Sequence, residues 1–220
     1  MDQYHSRQQG IYQSFRDFMS ADQPLAGSPE HHFDAGCLLI MSYGSQQSAS
    51  LARISEQVSA TLPAITYHTD TLHTTLATGA KLPSAQHSDD NARQLFSRYQ
   101  RFFHQTAAPL IQAGLCRIRV ELQGLLYNAN SLIAAGEANA AFWELAEQLT
   151  KAAARHNLPL QMPWGSHVTL SRFQAGAHDR QTLDQIVADS QLPQQLQPQS
   201  LQLVWFECDQ QGFRLVRNSH

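Results

Sequence analysis

Lysine is nearly absent from this chain: among 220 residues and a formal charge of -3, only Lys81 and Lys151 occur. A protein that grips long duplex nucleic acid through its phosphates needs a basic excess, so that class is excluded. Cysteine is equally sparse. Cys37, Cys116 and Cys208 are odd in number and widely spaced in apolar stretches, which excludes a disulfide framework and points to reduced thiols in a cytoplasmic setting. No apolar run approaches the roughly 18 residues of a membrane helix, and Met1-Asp2-Gln3-Tyr4-His5 lacks a basic-then-apolar leader pattern. No membrane partner is expected. The Gly-x-Ser-x-Gly elbow, a cysteine beside a histidine and a glycine-rich phosphate loop are all missing, so serine or cysteine nucleophiles find no support. His31-His32 has no partner at ligand spacing, and neither a metal nor a cofactor is expected.

What is present is a chain 42% hydrophobic, long enough for one full core. Residues 1–33 read as an N-terminal helical extension: Ile11, Phe15, Phe18 and Met19 have helical spacing after Gly10, and Pro24, Gly27 and Pro29 end it. Residues 34–220 read as a single bilobal domain. Gly36 to Tyr43 is a continuous apolar strand, Ser48 to Thr61 a helix stopped by Pro63, and Thr66 to Thr78 a strand ending at Gly79. Asp89-Asp90 opens a long helix with an aromatic stripe, interrupted at Pro109 and stopped near Gly114. Cys116 to Leu126 alternates as a half-exposed strand, with Arg117 and Arg119 on its polar side, and Ala138 to His156 is a helix. The second motif strand, Ser166 to Phe173, follows, and then a further helix, Asp179 to Gln191, and a hairpin of Leu201 to Cys208 with Phe213 to Val216. Strand, helix and motif strand thus occur twice, the second time as Cys116 to Leu126, Ala138 to His156 and Ser166 to Phe173. The expected fold is α+β, with duplicated strand-helix-strand units forming mainly antiparallel sheets around a central cleft.

One tetrad occurs in both halves. His73-Thr74-Thr75-Leu76 and His167-Val168-Thr169-Leu170 share the pattern His-x-Thr-Leu. At this composition a chance pair is expected about 0.002 times per chain, so the repeat carries information. In a strand His73 and Thr75 share one face, as do His167 and Thr169, while the leucines face the core. Two such strands side by side bring two imidazoles and two hydroxyls into one pocket. An imidazole titrates near neutrality, so one can take a proton from water while the other gives one to a leaving oxygen. The hydroxyls can donate to phosphoryl oxygens. Tyr43 and Trp164 are aromatic candidates to line such a pocket. Arg172 follows the second motif, and strict alternation turns it away from His167.

Paired motifs of this kind, one per half, resemble the two-histidine (2H) phosphoesterase superfamily, which includes the bacterial RNA 2',3'-cyclic phosphodiesterases once called 2'-5' RNA ligases. The resemblance spans roughly Asp34 to the C-terminus. It implies an acid/base pair of His73 and His167, phosphate-oxygen ligands Thr75 and Thr169, and a substrate contact from Arg172. Thr78 stands where the family usually has an apolar residue. The implied activity is metal-independent hydrolysis of 2',3'-cyclic phosphates on a small nucleotide or an RNA terminus, a role in RNA processing. Two alternatives share the residues: a non-catalytic AMP-like nucleotide-binding module, and a diesterase or ligase for linear 2'-5' bonds. A monomer is expected.

Overall fold

A computed structural model describes residues 2–21, 23–25, 34–83, 88–176, 179–209 and 212–216; His31 and His32 lie outside them. The elements run α1 (Asp2–Ser20), β1 (Asp34–Tyr43), α2 (Ser45–Thr61), β2 (Ala64–Thr66), β3 (Thr74–Pro83), α3 (Asp89–Phe102) and α4 (Ala108–Gly114). They continue with β4 (Val120–Tyr127), β5 (Ser131–Ala138), α5 (Ala140–Arg155), β6 (Val168–Phe173), α6 (Arg180–Asp189), β7 (Gln195–Leu196), β8 (Pro198–Asp209) and β9 (Gly212–Val216). The fold is α+β, and its antiparallel strands follow the order β7-β4-β5-β6-β3-β1-β8-β9, with β2 paired to β6.

This order is symmetric about the junction of β3 and β6. On one side lie β3, β1, β8 and β9; on the other β6, β5, β4 and β7. The counterpart of β1 is therefore β5, not the strand expected at Cys116–Leu126. β5 escaped the sequence reading because Leu132-Ile133-Ala134-Ala135 is buried on both faces and shows no alternation. Its hairpin with β4 turns on Asn128, whose Oδ1 accepts from the backbone N–H groups of Asn130 and Ser131. Arg117 belongs to a 3-10 turn, Leu115–Arg117, and Arg119 precedes β4. Arg117 pairs with Glu144 at 3.7 Å, and Arg119 donates to the carbonyls of Cys116 and Ile118.

The helix from Asp89 is interrupted as expected, but earlier than Pro109. A π-helical turn over Phe103–Ala107 separates α3 from α4, so Pro109 falls in the first turn of α4, where its missing N–H costs nothing. Ser88 caps α3 by accepting from the Asn91 N–H.

One face of the sheet packs on the helices. There Ala35, Cys37, Leu39, Met41 and Tyr43 of β1, Leu76 of β3 and Leu170 of β6 enter the main core. On the opposite face α1 covers β4 and β5, where Tyr12 and Phe15 pack on Leu126, Ile133 and Ala135. α1 begins well before Gly10, and three separate contacts fix it. Tyr4 stacks on Trp143, the Tyr12 hydroxyl donates to the Gly136 carbonyl at 2.9 Å, and the Arg180 guanidinium caps the carbonyls of Met19, Ala21 and Gln23.

Candidate active site

The two motif strands meet through one residue pair, Thr74 with Val168. These are equivalent positions, each directly after its histidine, so a local twofold axis passes between them. Extending the antiparallel register by one residue places His73 across from Thr169 and Thr75 across from His167. A second bridge supports the junction: Thr78 and Gln161 exchange backbone hydrogen bonds at 3.0 and 2.8 Å.

Each motif carries the same irregularity at its leucine. Against β1, Leu39 pairs with Ala77 and Ile40 with Thr75, leaving Leu76 as an extra residue. Against β5, Leu132 pairs with Ser171 and Ile133 with Thr169, leaving Leu170 extra. Such a β-bulge reverses the facing of everything beyond it. Leu170 and Ser171 are both buried, and Arg172 returns to the side of Thr169. The expectation that Arg172 faces away from His167 is corrected for this reason. Thr78, two residues past Leu76, is its counterpart.

His73, Thr75, Thr78, His167, Thr169 and Arg172 all line one cavity of about 340 Å³. A second chamber of about 540 Å³ lies beyond Trp164, His167, Thr169 and Arg172, which it shares with the first. Arg7 of α1 lines both. Lys81 also lines the first, whereas among the described residues no aspartate or glutamate lines either, although the chain as a whole is acidic. The cleft is thus a cationic concavity that favours an anion.

The histidines are held differently. His73 is buried, its Nδ1 lies 2.6 Å from the Thr71 carbonyl, and its ring stacks 5.7 Å from Phe213. Donation from Nδ1 leaves Nε2 to act on a substrate. Thr71 is itself fixed in a turn, where its hydroxyl accepts from the His68 N–H. His167 stacks closely on Trp164, with ring centroids 3.8 Å apart. The Gly165 backbone favours its protonated form slightly, yet its Nδ1 is buried without a hydrogen-bond partner among the described residues. Burial pushes the His73 pKa down to about 4, against a smaller opposing effect from the Thr71 carbonyl. Burial and then the neighbouring His73 push His167 down to about 3. Burial thus favours the neutral form of both rings at pH 7, and an incoming anion shifts them toward protonation.

Trp164 is sandwiched between His167 and the α1 residue Phe15. Arg172 Nε donates to the Tyr67 hydroxyl at 3.0 Å, which fixes its guanidinium at the cleft wall. Tyr43 does not reach the cleft. It shares the core-facing parity of Met41, and its hydroxyl donates to Thr74 Oγ1 at 2.6 Å. The polar Thr74 on a buried face thereby finds its partner. Sequence reasoning missed the aromatic wall of Tyr67, Phe206 and Phe213. It also missed Arg7, whose placement depends wholly on how α1 docks.

That docking has a fixed point beside the second motif. Gln8 is fully buried, and its Oε1 accepts from the Ser166 N–H at 2.8 Å. The Ser166 hydroxyl donates to the Gly136 carbonyl, and the Ala138 N–H donates to that hydroxyl. Gly136 is required there, since a Cβ would sit 2.2 Å from the Ser166 carbonyl oxygen.

No protein-family model matches the chain, and no curated protein does. Among solved structures its fold is similar to that of ATU0111, a conserved protein of unknown function from Agrobacterium tumefaciens, with a TM-score of 0.52 at 14% identity over 91% of this chain and 96% of that one. TT0787 of Thermus thermophilus scores 0.46 at 16% identity, over 83% and 95% of the two chains. E. coli LigT complexed with 3'-AMP scores 0.44 at 13% identity, over 83% and 94%. The architecture is α+β, with two halves of one antiparallel sheet meeting at the paired His-x-Thr-Leu strands. Among the described residues no helix is long and apolar enough to cross a membrane.

Proposed function

We propose that the chain is a 2H phosphodiesterase that opens 2',3'-cyclic phosphates without a metal. One observation carries the reading. The Thr74–Val168 pair turns both motif histidines and both motif threonines toward a single cationic cleft. The substrate phosphate lies between the strands, where Thr75 and Thr169 donate to its non-bridging oxygens and Arg172 offsets its charge. One histidine takes a proton from water as the water oxygen attacks phosphorus. The other gives a proton to the ribose oxygen as its bond to phosphorus breaks, leaving a phosphate monoester and a free hydroxyl. The anion itself offsets the burial that favours the neutral form of the acid histidine. The nucleoside rests against the aromatic wall of Tyr67, Phe206 and Phe213.

The test is turnover of 2',3'-cyclic nucleotides in EDTA by the wild type, His73→Ala and His167→Ala. Activity that falls by about 10² or more in both variants is expected. Nucleotide binding without turnover of these substrates or of linear 2'-5' dinucleotides overturns the enzyme in favour of a binding module.

A further inference from the structure

Beyond the residues it shares with the first cavity, the second chamber takes no part in the proposed reaction. It is as large as many small-molecule sites, which run from about 300 Å³ upward, and its lining differs from that of the first. Its lining combines the apolar Ile133 and the α1 residues Ile11 and Phe15 with Asn130 from the β4–β5 turn. The Asn130 side chain makes no hydrogen bond among the described residues, so its amide is available to a ligand, whereas Asn128 is occupied by its own turn. Arg7 stands where the two chambers join. Its exposed guanidinium has neither a hydrogen bond nor an ion pair among the described residues. The neighbouring residue on α1, Gln8, is locked to Ser166, so Arg7 is carried on a fixed stretch of backbone rather than on a loose arm.

Apolar side chains, a free amide and, at the junction with the phosphate-binding cleft, a guanidinium without a partner among the described residues match the parts of a nucleotide. The geometry points to the chamber between α1 and the β4–β5 turn as a subsite for a second nucleotide unit, with Arg7 receiving the phosphate that links it to the reacting one. The favoured substrate is then an oligonucleotide end rather than a mononucleotide. This rests on the reading of the cleft as a phosphodiesterase site, and it assigns a working role to a helix outside the duplicated units.

Two probes separate the claims: 2',3'-cyclic AMP, and adenylyl-adenosine ending in a 2',3'-cyclic phosphate, each assayed with the wild type and Arg7→Gln. The wild type should prefer the dinucleotide by about tenfold or more in kcat/KM, the worth of one charged phosphate contact. Arg7→Gln should erase most of that preference through KM. The slope of log KM against log salt should be steeper for the dinucleotide by about 0.7, and that excess should vanish in the variant. Equal kcat/KM for both probes in the wild type, or an equal loss on both in Arg7→Gln, overturns the subsite while leaving the reaction intact. If neither probe is turned over, the reaction fails separately. Calorimetry with the 2'-phosphorylated dinucleotide and with 2'-AMP then decides the subsite: tighter dinucleotide binding that Arg7→Gln abolishes supports it, and equal affinities overturn it.

Discussion

The two His-x-Thr-Leu strands are alike in what they present to the cleft and unlike in what holds them. Both place histidine and threonine on one face, both bulge at leucine, and they pair through equivalent residues. The first is supported locally, by the turn that aims the Thr71 carbonyl at His73. Support for the second comes from far away in sequence: Gln8 and Tyr12 of α1 reach Ser166 and Gly136. Symmetry is kept where the substrate sits and lost one layer behind it.

If the chemistry is as symmetric as the cleft, His73→Ala and His167→Ala should each lower kcat by about 10² or more, and the double variant should be little worse than either single one. A loss confined to one of them breaks the symmetry. Thr75→Val and Thr169→Val should each cost about tenfold to a hundredfold in kcat/KM, through lost donors to the phosphoryl oxygens.

The pH dependence of stability tests the pair in another way. Both histidines hold protons less readily when folded, at about 4 and about 3 against an ordinary 6.5. Below pH 6.5 the unfolded chain therefore binds more protons than the folded one. Their contribution to stability is complete above that value and lost as pH falls through about 4 for His73 and about 3 for His167. Two such groups give a slope of up to about 2.7 kcal/mol per pH unit, and His167→Ala should halve it. Urea unfolding between pH 6.5 and 5 measures it; a flat profile in the wild type refutes the buried neutral pair.

The unlike supports predict smaller, one-sided effects. Gln8→Leu leaves the Ser166 N–H buried and unpaired, at a cost of about 2 kcal/mol seen in denaturant unfolding, with kcat falling because the second strand loosens. Thr74→Val gives the first motif the residue of the second, and strands the Tyr43 hydroxyl at a cost of about 1 kcal/mol. Adding Tyr43→Phe should recover most of that loss. If it does not, Thr74 contributes something beyond its bond to Tyr43.

Much of this was legible in the sequence because it is local. A tetrad that occurs twice, with threonine at the second alternate position, fixes a shared face by strand parity alone. The apolar run of β1 and the capped start of α3 are equally local. Parity failed at Arg172, because a bulge is set by pairing with the neighbouring strand and leaves no mark on residue spacing. Tyr43 was misplaced for the opposite reason: its aromatic character suggested a pocket, while its parity with Met41 sends it to the core. β5 hid behind two buried faces, although Asn128 and Asn130 mark its turn. Arg7 was beyond reach, since its place depends on contacts that join α1 to residues more than a hundred positions away.

The rung between Thr74 and Val168 joins a position to its own equivalent. Contacts of that kind are isologous, the sort that two identical subunits make across a dyad, and they ask for no covalent connection between the halves. The cleft is therefore built like a homodimer interface folded into one polypeptide. Within one polypeptide the halves are free to differ: one has α1 as a wall while the other has Phe213, a difference that two identical chains could not show.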